Sequence, residues 1–211
     1  MKIELYRDPV KYILVRDWLD PRTLAIWSDY VDGLAYDPGL YGVGPTEKLY
    51  TQVKLNNNIW LDPPNSLASE YQHLFWSPEI KQALLDMGDL LFRAHSLNNA
   101  GNFLVSKYNP GDYFRWHCDH THYLTANFVL DSADQGGVFE IAQETESIKY
   151  PQDRLDEVLH TAVEIPNESN CLIIFPAMHY HRVTPVAQGQ RRTVQYFLSR
   201  NFYEQRQNLP A

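Results

Sequence analysis

The second half of the chain is dominated by short segments in which apolar and polar residues alternate, the pattern of β-strands. Glycine, proline, asparagine and aspartate separate these segments, as expected for turns. Candidate strands lie at residues 102–108, 112–119, 124–130, 137–142, 160–165, 171–175, 181–186 and 191–199. Many short strands joined by turns favour a barrel or a two-sheet jelly roll, and we therefore expect a mainly β, α+β fold.

The first 100 residues predict strands and helices that support this β region. Residues 1–20 contain an alternating stretch that predicts an opening strand. Asp20 and Ser77 each precede a proline and an apolar stripe at helical spacing, so each is predicted to cap the start of a helix. At 211 residues the chain is expected to be a single domain, with a support region at 1–100 and a core at 101–200.

Composition excludes several classes of function. A net charge of −8 argues against general nucleic-acid binding and gives no reason to expect adhesion to anionic membranes. Cys118 and Cys171 are too few for a disulfide scaffold. Because the sequence also contains no apolar signal core or membrane-spanning run, a cytoplasmic protein is expected.

A His-x-Asp pair, His117 and Asp119, lies in one predicted strand. Residues two apart on a strand point to the same face roughly 6.5 Å apart, so both side chains can reach one metal ion. His181, which follows a buried-strand pattern, is the candidate third ligand, and His122 is a weaker alternative. Two histidines and a carboxylate can occupy one face of an octahedral ion, as in non-haem Fe(II) oxygenases. A His-x-Asp pair alone is also common as an ordinary structural contact.

The predicted strands each have one apolar face and one face that mixes polar and aromatic residues. Phe114, Trp116 and Cys118 are assigned to one face of their strand, and the His-x-Asp pair to the other. Asn127 and Thr193 fall on the mixed faces of later strands. Such a face can be exposed to solvent, as is usual in antiparallel sheets, or line a cavity. The position of the His-x-Asp pair favours a cavity.

Arg191 lies ten residues after His181, beyond a turn at Gln188-Gly189. A hairpin of that length returns Arg191 to the side of His181. Arginine is a natural bidentate partner for a carboxylate, so Arg191 is a candidate anchor for an acidic cosubstrate. Taken alone, the same residue would be read as part of an ordinary salt bridge.

Together these motifs resemble the iron(II)/2-oxoglutarate-dependent dioxygenases of the prolyl 4-hydroxylase-like branch. The resemblance covers about residues 100–200. It rests on Tyr108-x-x-Gly111 before His117-x-Asp119, on Leu124-Thr125 and Leu130, on Gly136-Gly137-Val138-Phe139, and on His181-x-Val183-x-Pro185-Val186-x-x-Gly189-x-Arg191.

The resemblance implies a double-stranded β-helix (jelly-roll) core buttressed by N-terminal helices. It implies Fe(II) held by His117, Asp119 and His181, and 2-oxoglutarate bound as cosubstrate, with ascorbate as a candidate additional cofactor. The cosubstrate residues it implies are Arg191, Tyr108, Thr193 and Asn127.

The implied activity is hydroxylation of a prolyl or other amino-acid residue in a peptide, or of a related small molecule. 2-Oxoglutarate and O2 would be converted to succinate and CO2. Desaturation or ring formation stays open, as do a cupin-like metal module without oxidation and a Zn(II) hydrolase. Substrate contacts are expected in loop 35–68 and in a polar, exposed insertion at 143–159. The loop residues considered for this role are Tyr36, Tyr41, Tyr50, Asn57, Asn58 and Trp60.

Overall fold

The computed structural model describes residues 1–38, 54–60, 74–75, 77–94, 97–119, 122–145, 155, 159 and 161–200, with backbone alone at 37–38, 59–60, 98–103 and 200. The helices are α1 (Pro21–Asp32) and α2 (Pro78–Phe92). The strands of the first half are β1 (Lys2–Tyr6), β2 (Tyr12–Arg16), β3 (Asp37–Pro38), β4 (Lys54–Leu55), β5 (Asn57–Trp60) and β6 (Leu97–Tyr108). Those of the second half are β7 (Tyr113–His117), β8 (Leu124–Asp131), β9 (Gln135–Gly136), β10 (Phe139–Thr145), β11 (Val163–Ile165), β12 (Cys171–Pro176), β13 (His179–Val183), β14 (Val186–Gln188) and β15 (Arg191–Arg200).

Two antiparallel sheets form the body of the protein. The larger has the strand order β1-β2-β12-β8-β15-β6-β5-β3, and the smaller has the order β11-β10-β13-β7-β4. A short β14-β9 pair joins them at one end. This open, mainly β arrangement is that of a jelly roll and confirms the predicted fold class, without closing into a barrel.

Both predicted helix starts are confirmed. The Asp20 side chain accepts hydrogen bonds from the backbone N–H groups of Arg22 and Thr23 at 3.0 and 3.1 Å. Ser77 Oγ accepts one from the Ile80 N–H at 3.3 Å. These bonds satisfy donors that have no partner within the helix, and the following prolines suit the first turn. Neither helix, nor any other in the described ranges, is long and apolar enough to span a membrane.

The helices cover the outer face of the larger sheet. The Trp27 ring of α1 meets the Phe128 ring of β8 edge-on, with centroids 5.6 Å apart. The shared core contains Trp27, Val31, Leu84, Phe92, Val105, Leu124, Ala126, Phe128, Leu130, Val194, Tyr196 and Leu198. Since β8 and β15 bury one apolar face here, their other face must point toward the smaller sheet.

That other face is buried between the two sheets. Phe139 of the smaller sheet and Phe175 of the larger lie with ring centroids 5.3 Å apart. Thr125, Asn127 and Thr193 are each 1% exposed on the inner face of the larger sheet. The mixed faces of the predicted strands therefore line the interior, as the position of the His-x-Asp pair indicated.

The prediction for the faces of β7 was wrong at Phe114. His181 pairs with His117, but Val183 pairs with Phe114, so β7 has one residue more than β13 over this stretch. Such a β-bulge breaks the alternation of side chains. The Phe114 ring consequently stacks on the His117 ring inside, with centroids 3.4 Å apart, while Trp116 and Cys118 remain together outside.

The predicted strand 181–186 is likewise divided, because β13 ends at Val183 and β14 begins at Val186. Pro185 between them has no N–H to donate to a ladder. Its carbonyl instead accepts the N–H of Gly137 at 3.1 Å. This contact fixes the path of the chain toward Arg191.

Gly136→Ala is expected to destabilise the protein more than Gly111→Ala. Both glycines have positive φ, +71° and +93°, so alanine at either site costs about 1–2 kcal/mol. A Cβ at Gly136 would also lie 2.2 Å from the Pro185 carbonyl oxygen, whereas one at Gly111 meets nothing within 4 Å. Urea unfolding of the two variants measures the difference. Equal losses would mean that the β9–β14 contact adjusts freely.

Candidate metal centre and cosubstrate pocket

The structure brings the three predicted metal ligands together. His117 ends β7 and pairs with His181 across the ladder to β13. Asp119 lies two residues beyond the strand, with Oδ1 4.0 Å from His117 Nε2 and Oδ2 3.5 Å from His181 Nε2. All three ligand atoms lie within 4.8 Å of one another. The donor set and its spacing fit one divalent metal ion.

Both imidazoles are oriented for coordination through Nε2. His117 Nδ1 lies 2.8 Å from the Arg115 carbonyl oxygen, and His181 Nδ1 lies 2.9 Å from the His179 carbonyl oxygen. A carbonyl can only accept, so each Nδ1 carries the proton and each Nε2 keeps a lone pair. A second hydrogen bond of this kind is usual for histidines that bind metals.

Asp119 is held by two hydrogen bonds although it lies outside the strand. Its backbone N–H donates to the Ala177 carbonyl at 2.9 Å, and Thr125 Oγ1 donates to Asp119 Oδ2 at 2.6 Å. The reasoning from strand geometry thus placed Asp119 correctly beside His117, but a loop anchored on the larger sheet sets its position.

Thr125→Val is expected to weaken metal binding about 10-fold, the lower end of the range for losing a partner of a metal ligand. Valine has nearly the same shape but cannot donate to Asp119. The measurement is equilibrium binding of Fe(II) without oxygen. Thr161→Val is the control, since it removes an exposed hydroxyl that bonds Glu144 at 2.9 Å. Unchanged affinity in Thr125→Val would show that the loop alone orients Asp119.

His122, the alternative ligand, is engaged elsewhere. Its Nδ1 lies 2.9 Å from Ser199 Oγ, and its ring stacks on Phe197 with centroids 4.7 Å apart. Burial lowers the pKa of His122. The clustered ligand set comprises His117, Asp119 and His181 without it. His120 lies outside the described residues.

Arg191 is a fully buried cation at the start of β15, with 0% of its surface exposed. Its Nη1 donates to Asn167 Oδ1 at 2.7 Å, but its Nε and Nη2 have no hydrogen-bond partner in the part of the chain that the structure describes. Burial lowers the pKa of Arg191 to about 10. Unsatisfied charged donors are costly in a protein interior, so the site is suited to receive an anion.

Among the described residues, two more buried polar atoms without a hydrogen-bond partner belong to predicted cosubstrate residues, Thr193 Oγ1 and Asn127 Oδ1. The Tyr108 hydroxyl is buried beside Asn56 and Ser106, whose side chains interact with it. Tyr108 stands opposite Arg191 in the β6–β15 ladder, and Thr193 is two residues further along β15. Burial raises the pKa of Tyr108 to about 12, although Arg191 acts in the opposite direction. Tyr108 is therefore a neutral donor. The cluster fits a ligand that carries a carboxylate and further oxygen acceptors.

Sequence reasoning missed two polar residues of this interior, Asn167 and Lys54. Asn167 follows a short strand and gives no signal, since its contact with Arg191 spans 24 positions. Lys54 is 2% exposed, with Nζ 4.5 Å from the centroid of the Phe114 ring. Burial lowers the pKa of Lys54 to about 7, although the negative charge of Asp119 acts in the opposite direction. The alternation of Lys54, Asn56 and Asn58 was the signal that could have found it.

The two segments expected to contact substrate are described only in part. Tyr41 and Tyr50 lie outside the described residues, as does the Trp60 side chain. Tyr36 donates to the Val31 carbonyl at 2.9 Å. In the insertion 143–159, Leu155 and Leu159 are buried in one apolar cluster with Trp116 and Cys118. The expectation that this insertion is exposed was therefore wrong at these two residues.

A jelly roll with two histidines and a carboxylate clustered in its interior is the arrangement typical of non-haem Fe(II) oxygenases. The family model described as the 2OG-Fe(II) oxygenase superfamily matches residues 103–199. Over this stretch, which is just under half of the chain, the sequence is similar to 2-oxoglutarate-dependent oxygenases that use Fe(II). No curated protein matches the sequence significantly.

Solved structures share the fold. A prolyl-4-hydroxylase from Pseudomonas putida is 15% identical, with 92% of this chain and 94% of that chain covered and a TM-score of 0.60. A prolyl hydroxylase from Trichoplax adhaerens, in complex with a hypoxia inducible factor peptide fragment, is 13% identical, with 94% and 87% covered and a TM-score of 0.61. The epimerase SnoN from nogalamycin biosynthesis is 13% identical, with 90% and 78% covered and a TM-score of 0.64. At these identities the likeness establishes the fold.

Proposed function

We propose that the protein hydroxylates a prolyl or other amino-acid residue in a peptide, or a related small molecule. 2-Oxoglutarate and O2 are consumed, and succinate and CO2 are formed. The observation that carries the proposal is the buried Arg191 guanidinium, two of whose donors have no hydrogen-bond partner among the described residues. Arg191 stands opposite Tyr108 and lies on the same strand as Thr193. A carboxylate ligand would satisfy these groups.

His117, Asp119 and His181 are the residues proposed to hold the iron, which when bound supplies the activation of O2. The chain's own contribution is to fix this ligand set. The backbone carbonyls behind both histidines hold their tautomers, and Thr125 holds the carboxylate. Three ligands from one side leave the remaining positions for cosubstrate and oxygen.

Arg191 is proposed to bind the distal carboxylate of 2-oxoglutarate. Asn167 holds Nη1 at 2.7 Å, so the guanidinium is oriented before the ligand arrives. Tyr108 and Thr193 are proposed to donate hydrogen bonds to the same ligand. Asn127 adds an acceptor and an amide donor on the neighbouring strand β8, opposite Gln195 of β15. The buried setting excludes water and strengthens each of these contacts.

The described residues support the two alternative functions, a metal module without oxidation and a Zn(II) hydrolase, less well than they support an oxygenase. A cupin-like metal module without oxidation needs no buried arginine in its interior. A Zn(II) hydrolase needs a general base near the metal-bound water. Glu140 is largely buried but points to the outer side of β10, where it pairs with Arg182. It is therefore not placed to serve as that base.

The neighbours include an epimerase as well as prolyl hydroxylases, so the product must be identified directly. The experiment incubates the protein with Fe(II), 2-oxoglutarate and a panel of peptides and amino acids in air. Hydroxylation predicts that succinate and a product with one added oxygen atom form in equal amounts. A product without added oxygen, formed in step with succinate, would replace hydroxylation by desaturation, ring closure or epimerisation.

A further inference from the structure

Arg192, the next residue after Arg191 in β15, shows how this chain accommodates a buried arginine that links two elements. It is 8% exposed and donates to Ser28 Oγ of α1 at 2.7 Å. Its Nε donates to Asp131 Oδ2 at 2.7 Å, and its Nη1 forms an ion pair with Asp32 of α1. Two carboxylates thus neutralise Arg192, as is usual for a guanidinium removed from water.

Arg191 is more deeply buried than Arg192, but no carboxylate of the described residues pairs with it. Its Nη1 donates instead to the Asn167 amide oxygen at 2.7 Å. The titratable groups that act on the pKa of Arg191 are Tyr108 and Cys171. Burial raises the pKa of each of these two groups to about 12, so both are neutral at pH 7. The guanidinium therefore keeps its full charge.

The Asn167 side chain is held at both ends of its amide. Its Nδ2 donates to the Gly136 carbonyl oxygen at 3.2 Å, while its Oδ1 accepts from the guanidinium. A carboxylate could not do both, because it has no N–H for the carbonyl. The carboxylate of the next residue, Glu168, pairs instead with Arg16, at 2.6 Å from Nε. Asn167 thus orients Arg191 without cancelling its charge.

We propose that Asn167 is a positioning and specificity-determining residue: it orients Arg191 and leaves its charge to the ligand, so that the pocket selects a 2-oxo acid with a distal carboxylate. This inference rests on the proposed function, in which Arg191 binds 2-oxoglutarate. Nε and Nη2, which have no partner among the described residues, lie on one edge of the planar guanidinium. A carboxylate can accept from both, whereas an apolar end would leave both buried and unsatisfied.

The test compares 2-oxoglutarate with 2-oxopentanoate, in which a methyl group replaces the distal carboxylate. Calorimetry on the Zn(II)-loaded protein gives both dissociation constants without turnover. Wild type is expected to prefer 2-oxoglutarate by about 30-fold or more. Asn167→Asp should reduce this preference by about 10-fold or more, because its carboxylate would neutralise Arg191. Its affinity for 2-oxopentanoate should match that of wild type, since this ligand does not use the charge.

Two further variants separate charge from orientation. Asn167→Ala removes the bond to Arg191 without adding a negative charge, so its preference for 2-oxoglutarate should stay above that of Asn167→Asp. Asn167→Glu adds the charge one methylene further out and should lower the preference as Asn167→Asp does. Gln188→Glu is the control, because it places a carboxylate at an exposed position three residues before Arg191. It should leave the preference unchanged.

Three results would overturn this inference alone. The carboxylate variants could keep the wild-type preference, Asn167→Ala could lose as much of it as Asn167→Asp, or Asn167→Asp could weaken both ligands alike. Because the preference is a ratio measured within one protein, it does not depend on the fraction of each variant that folds. If wild type binds 2-oxoglutarate no more tightly than 2-oxopentanoate, the result contradicts the proposed function itself.

Discussion

His181→Ala is expected to abolish metal binding at the candidate centre, and turnover of 2-oxoglutarate with it. His181 is 4% exposed and stands opposite His117, and among the described residues its imidazole is one of the three donors that meet in the site. Loss of a mere partner of a metal ligand costs 10–100-fold, so loss of the ligand itself should cost more than about 100-fold in affinity. Equilibrium binding of Fe(II) without oxygen measures this loss.

His179→Ala is the matched control for that experiment. His179 lies on the same strand, and its Nδ1 is 2.9 Å from the Ala142 carbonyl oxygen rather than in the ligand cluster. Alanine at 179 keeps the backbone carbonyl that orients His181. Fe(II) affinity should therefore survive in His179→Ala. Equal affinity of the wild type and His181→Ala would show that the third ligand is another residue, with His122 the first to test.

Arg191→Ala is expected to weaken 2-oxoglutarate binding by about 30- to 4000-fold. Removing one partner of a buried, hydrogen-bonded charge pair costs about 2–5 kcal/mol, and each 1.4 kcal/mol is a factor of ten. The cost is large because Arg191 is fully buried and is the one full positive charge among the residues proposed to bind the cosubstrate. Titration of the Zn(II)-loaded protein with 2-oxoglutarate gives the dissociation constants.

Arg191→Lys separates charge from geometry at the same site. Lysine keeps the positive charge but lacks the planar fork that contacts both oxygens of a carboxylate, so binding should lie between that of wild type and Arg191→Ala. Arg22→Ala, an exposed change in the first turn of α1, should leave the affinity unchanged. If Arg191→Ala binds 2-oxoglutarate as tightly as wild type does, another residue anchors the cosubstrate.

Local signals in the sequence predicted much of the fold. The Asp20-Pro21 and Ser77-Pro78 starts need only neighbouring residues, and both caps form as expected. The alternation in β8 is regular, and its apolar positions lie in the helix-covered core. Period-two alternation also placed Thr193 and Arg191 on one inner face. These features depend on chain geometry within a single element, which sequence spacing describes well.

The bulge in β7 could not be predicted in this way. Its extra residue is defined only by pairing with β13, in which His181 and Val183 are two apart while His117 and Phe114 are three apart. Alternation counted along β7 alone therefore assigned Phe114 to the wrong face. The consequence bears on the site, because Phe114 now forms the surface between His117 and Lys54.

Contacts between the site and residues far away in the sequence could not be predicted either. Asn167 contacts Arg191, and Lys54 reaches β7 through a two-residue strand. Asn167 lies in no motif that spacing can detect, and the alternation of Lys54, Asn56 and Asn58 does not indicate which strand Lys54 pairs with. The clustering of the three candidate metal ligands could be predicted because His-x-Asp is local and because the strand carrying His181 follows a recognisable apolar run.

The most direct test of the central claim is succinate formation from 2-oxoglutarate by the purified protein with Fe(II), ascorbate and air. Wild type and His181→Ala are compared with the amino-acid panel present. Succinate formed by wild type and absent with His181→Ala is the predicted result, because the chemistry requires the metal that His181 helps to hold. Iron binding by wild type without any succinate would contradict an oxygenase. Equal succinate from both proteins would contradict the assigned metal centre.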